Sequence, residues 1–136
     1  MLTANHWNTL RSLMNRIIPQ DDFPAAWEAG VGDYLARQFE SDLKSQVETY
    51  QLGLEALEAE AQAFASKDFT ELDDAQQDEI LSWVESGQVI SLWSVNPTKF
   101  FHMVIEHVME GYYSDPGNGG NRDSIAWRMI GFERHE

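Results

Sequence analysis

Four side chains that can bind a metal or transfer a proton lie close together near the end of the chain. His102, Glu106, His107 and Glu110 fall on one predicted helix, where His102 and Glu106 are neighbours at i and i+4. A di-iron site in a helical bundle needs Glu-x-x-His pairs on two helices, whereas His107-x-x-Glu110 runs in the reverse order and occurs once. The zinc-protease motif His-Glu-x-x-His is also missing. The group is interpreted either as a ligand or metal site or, preferably, as polar side chains beside a core face.

No motif for nucleophilic catalysis or nucleotide binding is present. Ser114-Asp115 is not part of a glycine-flanked serine elbow that follows a strand. No G-x-G-x-x-G sequence follows a strand either. The chain contains no cysteine, which excludes disulfides, cysteine-ligated zinc, iron–sulfur clusters bound by this chain and thiol catalysis. From the residues alone, no catalytic residue and no cofactor-binding residue can be assigned.

The composition changes abruptly in residues 111–121, which contain two tyrosines, one proline, four glycines and two asparagines. Asp115-Pro116-Gly117 and Asn118-Gly119 are strong turn signals. Ordering such a loop costs much conformational entropy, so other groups must hold it if it is ordered. The apolar run of residues 125–132, with Trp127 inside it, predicts a short terminal helix that clamps the loop. We call residues 111–132 the C-terminal tail.

Length and composition indicate one globular domain over residues 1–136. The chain is 43% apolar and 12% aromatic, which is typical of a protein with a packed core. No run of about 18 apolar residues exists, so membrane insertion is not predicted. The N-terminus has no basic region followed by an apolar stretch and no twin arginine, so no export signal is visible.

The net charge of −14 is concentrated in the middle of the chain. Residues 40–85 contain thirteen acidic side chains and only Lys44 and Lys67 as basic ones. Such a surface repels phosphate backbones and anionic lipid, which argues against nucleic-acid and membrane-surface binding. The acidic side chains indicate a solvated helix face, and they also favour solubility or a basic partner.

Hydrophobic periodicity predicts an all-α bundle of about five helices. The first helix covers residues 5–18 and ends at Pro19. The second covers residues 25–39, with a break or kink at Gly30 and Gly32 and with Asp33 capping its second half. A fourth helix starts at Asp73, in a capping-box layout, and ends at Gly87.

The third helix has the clearest pattern, because apolar residues step by three and four along it. The stripe consists of Phe39, Leu43, Val47, Tyr50, Leu54, Leu57, Ala61 and Phe64. It favours a helix within a bundle over a coiled coil between chains. Gly53 lies inside this helix and is expected to let a neighbouring helix approach closely. Residues 89–95 are either one more helical turn or an extended link, and Asn96-Pro97 opens a fifth helix that leads into the tail.

The tail carries a family resemblance. Gly-Tyr-Tyr-Ser-Asp-Pro from residue 111, then Gly119-Gly120-Asn121, Trp127 and residues 130–132, resemble the signature of the gluconate 2-dehydrogenase subunit 3 family. Helical segments agree in order, including residues 16–19, residues 26–31, Tyr50 with Gly53, and Phe69 with Leu72. The resemblance therefore spans nearly the whole chain, although its specific part is the tail.

The resemblance implies a non-catalytic small subunit without a cofactor of its own. In such complexes a large flavoprotein of the glucose–methanol–choline (GMC) type binds FAD and oxidises a sugar or sugar acid, and a cytochrome c subunit often accepts the electrons. The small subunit supports folding and export of the flavoprotein, typically through a twin-arginine signal. This chain lacks that signal, so the implied periplasmic location stands beside a cytoplasmic one.

The resemblance and the residues together suggest which side chains contact the flavoprotein. Tyrosine and tryptophan supply large contact areas at a low entropic cost, and glycines let backbone amides approach a partner. The predicted contact residues are Tyr112, Tyr113, Asp115, Gly119, Gly120, Asn121 and Trp127. Some of them, above all Trp127, could instead pack the tail onto the bundle. The alternative function is a stand-alone helical protein that binds a ligand or metal through His102, Glu106, His107 and Glu110.

Overall fold

Five α-helices and two turns of 3₁₀ helix form the part of the protein that the structure describes. The computed structural model describes residues 1–114. Its elements, in chain order, are α1 (Ala4–Ile17), α2 (Val31–Gln38), the 3₁₀ turn Lys44–Gln46, α3 (Val47–Ala65), the 3₁₀ turn Phe69–Glu71, α4 (Asp74–Ser86) and α5 (Pro97–Tyr112). Residues 1–114 contain no strand, and the predicted all-α bundle is confirmed. The glycine-rich loop and the predicted terminal helix lie outside the described residues.

Local capping chemistry fixes the ends of α4 and α5 as predicted. The Asp73 side chain accepts a hydrogen bond from the Gln76 amide at 2.8 Å, and the Gln76 side chain accepts one from the Asp73 amide at 3.2 Å. Gly87 ends α4 in the left-handed conformation with φ of 79°. Asn96 caps α5 by accepting from the Lys99 amide, and Pro97 takes the first helical position. These hydrogen bonds satisfy backbone N–H groups that the first turn of a helix otherwise leaves without a partner.

The break predicted at Gly30 is confirmed, but the six residues that precede α2 do not form the predicted helix. Residues 25–30 form hydrogen-bonded turns, and α2 begins only at Val31. The reason is Gly30, whose φ of 98° is left-handed and cannot continue a right-handed helix. Asp33 was predicted to cap this half, but it lies in the first turn of α2 while Gly30 occupies the cap position.

The third predicted helix combines residues from two helices. Phe39 is the C-cap of α2, Leu43 lies in the following turn, and α3 begins at Val47. The apolar spacing continues through this turn because both helices line the same core. There the Phe39 ring packs edge-on against that of Tyr50, with ring centroids 4.8 Å apart. The segment between α4 and α5 is irregular rather than helical.

One hydrophobic core joins residues from all five helices. The central helix is α5, which packs against each of the other four. The stripe of α3 is buried within the chain, with Leu54, Leu57 and Ala61 each no more than 1% exposed. The stripe therefore packs inside the bundle of this chain, as the sequence favours, and not in a coiled coil between chains. Within residues 1–114, no helix combines the length and the apolarity needed to cross a membrane.

Two polar contacts fix α1 against its neighbours. Arg16 donates two hydrogen bonds to Asp78 of α4, at 2.9 and 3.0 Å, and these bonds lower the pKa of the Asp78 carboxyl. His6 accepts a hydrogen bond from the Thr3 amide on its Nδ1, so its Nε2 carries the proton and donates to Glu55 of α3 at 2.8 Å. The bidentate arginine bond is the more directional of the two contacts.

The Phe100 ring of α5 lies directly against the backbone of α3 at Gly53. A Cβ atom added to Gly53 would lie 2.2 Å from Cε1 of Phe100, and two more atoms of that ring would be within 2.5 Å. The ring is 3% exposed and is surrounded by core side chains, so it has no free space to move into. The expectation that Gly53 admits a neighbouring helix is thus confirmed, and the neighbour is α5.

We predict that Gly53→Ala destabilises the protein although alanine is the better helix former. The gain in helix propensity is about 1 kcal/mol. Overpacking against Phe100 typically costs roughly 1–3 kcal/mol, and at this tightly filled site we expect the upper part of that range, so the net loss should be roughly 1–2 kcal/mol. Urea denaturation measures the change. Phe100→Leu in the same background should recover part of the loss, and a double-mutant cycle without coupling between the two sites would contradict the prediction.

Candidate functional site

The structure describes two of the seven predicted contact residues. Tyr112 is the last residue of α5, and Tyr113 is its C-cap. Asp115, Gly119, Gly120, Asn121 and Trp127 lie outside the described residues. The described part of the tail is therefore its first residues, at the C-terminal end of α5.

Tyr112 and Tyr113 have different environments. The Tyr112 side chain is fully buried, and its hydroxyl donates to the carbonyl of Pro24 at 2.9 Å. Burial raises the pKa of its hydroxyl. The ring of Tyr113 is half-buried and stands edge-on to that of Tyr112, with centroids 5.3 Å apart. Tyr112 therefore anchors the end of α5 in the chain's own core, while Tyr113 lies at the edge of that core.

The four residues of the alternative site do not converge. The His102 side chain is 58% exposed and lies 3.6 Å from Glu85 of α4. His107 faces the core, and Glu106 and Glu110 are exposed. No cluster of three or more histidine and acidic side chains suited to a metal ion occurs among residues 1–114. This geometry agrees with the interpretation of the group as polar side chains beside a core face.

His107 instead forms a buried pair with Tyr50 of α3. The Tyr50 hydroxyl lies 2.9 Å from Nδ1 of His107, and the two rings are nearly parallel, with centroids 5.9 Å apart. Burial raises the pKa of Tyr50 far above its ordinary value, so the hydroxyl keeps its proton. Burial also lowers the pKa of His107, although Glu110 and Glu106 oppose this effect. The pair is therefore a neutral hydrogen bond that joins α3 to α5.

A ligand-sized cavity lies at a different place. An apolar depression of about 350 Å³ opens where α1, α2 and the start of α3 meet. Leu2, Trp7, Phe39 and Val47 supply much of its wall. None of His102, Glu106, His107 and Glu110 lines it, so the alternative site and the apolar depression are unrelated.

Among residues 1–114, the carboxylate with the most hydrogen bonds is that of Glu60 in α3, which is fully buried. It accepts hydrogen bonds from the amides of Ile90 and Ser91, both at 2.8 Å, from the Ser91 hydroxyl, and from Nε1 of Trp93 at 3.0 Å. Burial alone would raise the pKa of Glu60, but these donors outweigh it and the pKa lies below its ordinary value.

Sequence reasoning missed Glu60 because it counted the residue among thirteen surface acids. A signal was present in the spacing. Leu57, Glu60 and Phe64 step by three and four, so the glutamate lies on the side of α3 that also carries apolar residues. Its partners are about thirty residues further along the chain, and nothing in the local sequence identifies them.

The comparison with protein families identifies the chain. The family model described as gluconate 2-dehydrogenase subunit 3 matches residues 4–133. The chain belongs to this family. Searches of curated proteins and of solved structures found no match. A family of third subunits implies a dehydrogenase complex with several subunits, and this member is consistent with an accessory role.

For this gluconate 2-dehydrogenase subunit 3 protein, we predict that acid weakens the fold through His107. Folding lowers the pKa of His107 below its ordinary value of about 6.5. At pH values between these two pKa values, the unfolded chain therefore binds a proton at this side chain more readily than the folded protein does. Stability is therefore complete above about pH 6.5 and falls below it, by at most about 1.4 kcal/mol per pH unit for one group. Urea titrations at pH 7 and pH 5 measure this loss.

His107→Asn is the matched variant, since it retains an acceptor for Tyr50 but does not titrate. Its free energy of unfolding should depend less on pH than that of the native protein. His6 and His102 remain in both proteins, so only the difference between the two slopes reports on His107. Equal slopes would contradict the prediction.

We also predict that Glu60→Gln loosens the segment between α4 and α5 in the same protein. The amide side chain places an NH₂ group among N–H donors and removes the charge, so roughly 2–4 kcal/mol of stability should be lost. The amides of Ile90 and Ser91 should lose their protection from hydrogen exchange. Glu48→Gln, at an exposed position on α3, is the control and should leave both amides protected.

Proposed function

We propose that the chain is the non-catalytic small subunit of an FAD-dependent dehydrogenase that oxidises a sugar or a sugar acid. Its partner is a large flavoprotein of the GMC type, which holds the FAD, and a cytochrome c subunit is a further candidate partner. The small subunit would support folding, export or activity of the flavoprotein. One observation carries the proposal, namely that the match to the subunit 3 family covers residues 4–133 of 136.

The end of α5 supports a contact role for the tail. The buried Tyr112 hydroxyl bonds to the carbonyl of Pro24, which fixes the direction in which the chain leaves the helix. Tyr113 follows with a half-buried ring. A partly exposed tyrosine on a fixed backbone combines apolar area with a polar tip, a pairing that is common in protein interfaces. We assign Tyr113, Asp115, Gly119, Gly120, Asn121 and Trp127 to the contact, with Tyr112 as its internal anchor.

The charge distribution supports a protein partner with a basic or neutral contact face. The acidic side chains of residues 40–85 create a negative potential that would attract basic patches and repel nucleic acid. We propose a periplasmic location from the family resemblance, and cell fractionation of the complex would distinguish it from a cytoplasmic one.

The test is co-expression of the chain with the flavoprotein subunit. We predict that Tyr113→Ala and Asn121→Ala each reduce co-purification and sugar-dependent dye reduction, because each removes part of the proposed contact. We expect each residue to belong to the minority of interface residues whose truncation costs about 1 kcal/mol or more, which corresponds to about fivefold in affinity. Thermal unfolding of each free variant is measured alongside.

Ser45→Ala serves as the control, since Ser45 is exposed and distant in sequence from the tail. It should leave co-purification and activity unchanged. Failure of the native chain to associate with the flavoprotein would overturn the proposed function. Native association with unchanged behaviour of both tail variants would remove the assignment of the tail while leaving the subunit role in place.

A further inference from the structure

Two large apolar side chains are displayed to solvent on the segment between α4 and α5. Leu92 is 94% exposed and Ile90 is 57% exposed. Within residues 1–114, the other exposed large apolar side chains are Met1 at the terminus and Met109, which is 36% exposed. We call residues 88–96 the linker loop. Isolated exposed leucines are ordinary, but two of these side chains on one short loop form a local apolar surface.

The linker loop is held in one conformation by the buried Glu60 carboxylate. Glu60 bonds to the amides of Ile90 and Ser91 on one side of Leu92, and to the indole of Trp93 on the other. The Trp93 ring also lies against Phe100 of α5, with centroids 6.2 Å apart. Leu92 is therefore the outward-pointing residue between two fixed neighbours.

This arrangement orders the linker loop while leaving Ile90 and Leu92 exposed to water. Burying a carboxylate is unfavourable unless donors surround it, and here the linker loop supplies those donors. A loop that is already ordered loses little conformational entropy on binding. Holding Leu92 and Ile90 outward thus favours association with a second surface.

Charge indicates what that second surface is. No charged residue lies between Glu85 and Lys99, the longest uncharged stretch of the sequence. The chain as a whole carries −14, so two copies repel one another. These charges favour a different protein over a second copy as the occupant, one with an apolar pocket for Leu92 and a neutral or basic rim beside the acidic helices.

We propose that the linker loop docks Leu92 and Ile90 into an apolar pocket on the flavin-bearing subunit, as a second contact separate from the tail. This inference rests on the proposed function. The separation follows from α5, since the linker loop precedes its first residue and Tyr113 follows its last. A helix of 16 residues spans about 24 Å at ~1.5 Å per residue.

The experiment measures binding of the full-length chain to the purified flavoprotein subunit by calorimetry. Ile90→Ser with Leu92→Ser should weaken the affinity at least about tenfold, as loss of central apolar anchors does. Leu92→Met is the matched control, because it keeps apolar bulk and should bind within about twofold of the native chain. Both positions are exposed, so thermal unfolding of each free variant should match that of the native protein.

The outcomes separate this inference from the proposed function. No binding by the native chain would overturn both. Native binding with an undiminished affinity of the double serine variant would overturn the docking loop alone. Sedimentation of the isolated chain provides a further check, since a dimer that disappears in the double serine variant would make a second copy the occupant and refute the inference.

Discussion

The close approach of α3 and α5 at Gly53 governs much of this structure. Because residue 53 has no side chain, the Phe100 ring fills the space beside the α3 backbone. That contact sets the height of α5 along α3, and two further contacts depend on it. Two turns along α5, His107 comes level with Tyr50 and forms the buried hydrogen bond. At the start of α5, Trp93 lies over Phe100 and reaches Glu60.

Polar groups inside this bundle have structural roles that their residue types do not reveal. His107 and Glu60 are both the kind of residue that catalysis uses, and both are buried. Each has its partners within the chain, Tyr50 for the histidine and the linker loop for the glutamate. The pKa of each is shifted towards the form that its partners require, neutral for His107 and charged for Glu60. Their shifts reflect packing and hydrogen bonding, and reaction chemistry is not needed to explain them.

The sequence predicted those features whose causes lie within a few residues of one another. The capping pair Asp73 and Gln76 and the Asn96-Pro97 start of α5 depend on local hydrogen bonds and on proline geometry, and both are confirmed. The break at Gly30 was predicted, since glycine tolerates the left-handed conformation found there, but residues 25–30 were wrongly predicted to be helical. The stripe through Phe39 and Val47 crossed a turn, because the same core lies on both sides of it. Glu60 could not be assigned, since its donors come from a distant loop. The contact assigned to the tail stays a prediction, as most of its residues lie beyond the described part of the chain.

The length of α5 has a consequence for how a partner would be held. The linker loop and Tyr113 lie at opposite ends of one continuous helix, so their spacing is set by the backbone and does not vary as a flexible tether would. A rigid partner that engages one end presents its second surface to the other end at a high effective concentration. Two individually modest contacts could then give a long-lived complex. A smaller protein that reaches only one end would dissociate quickly, so the spacing itself would select for a large partner.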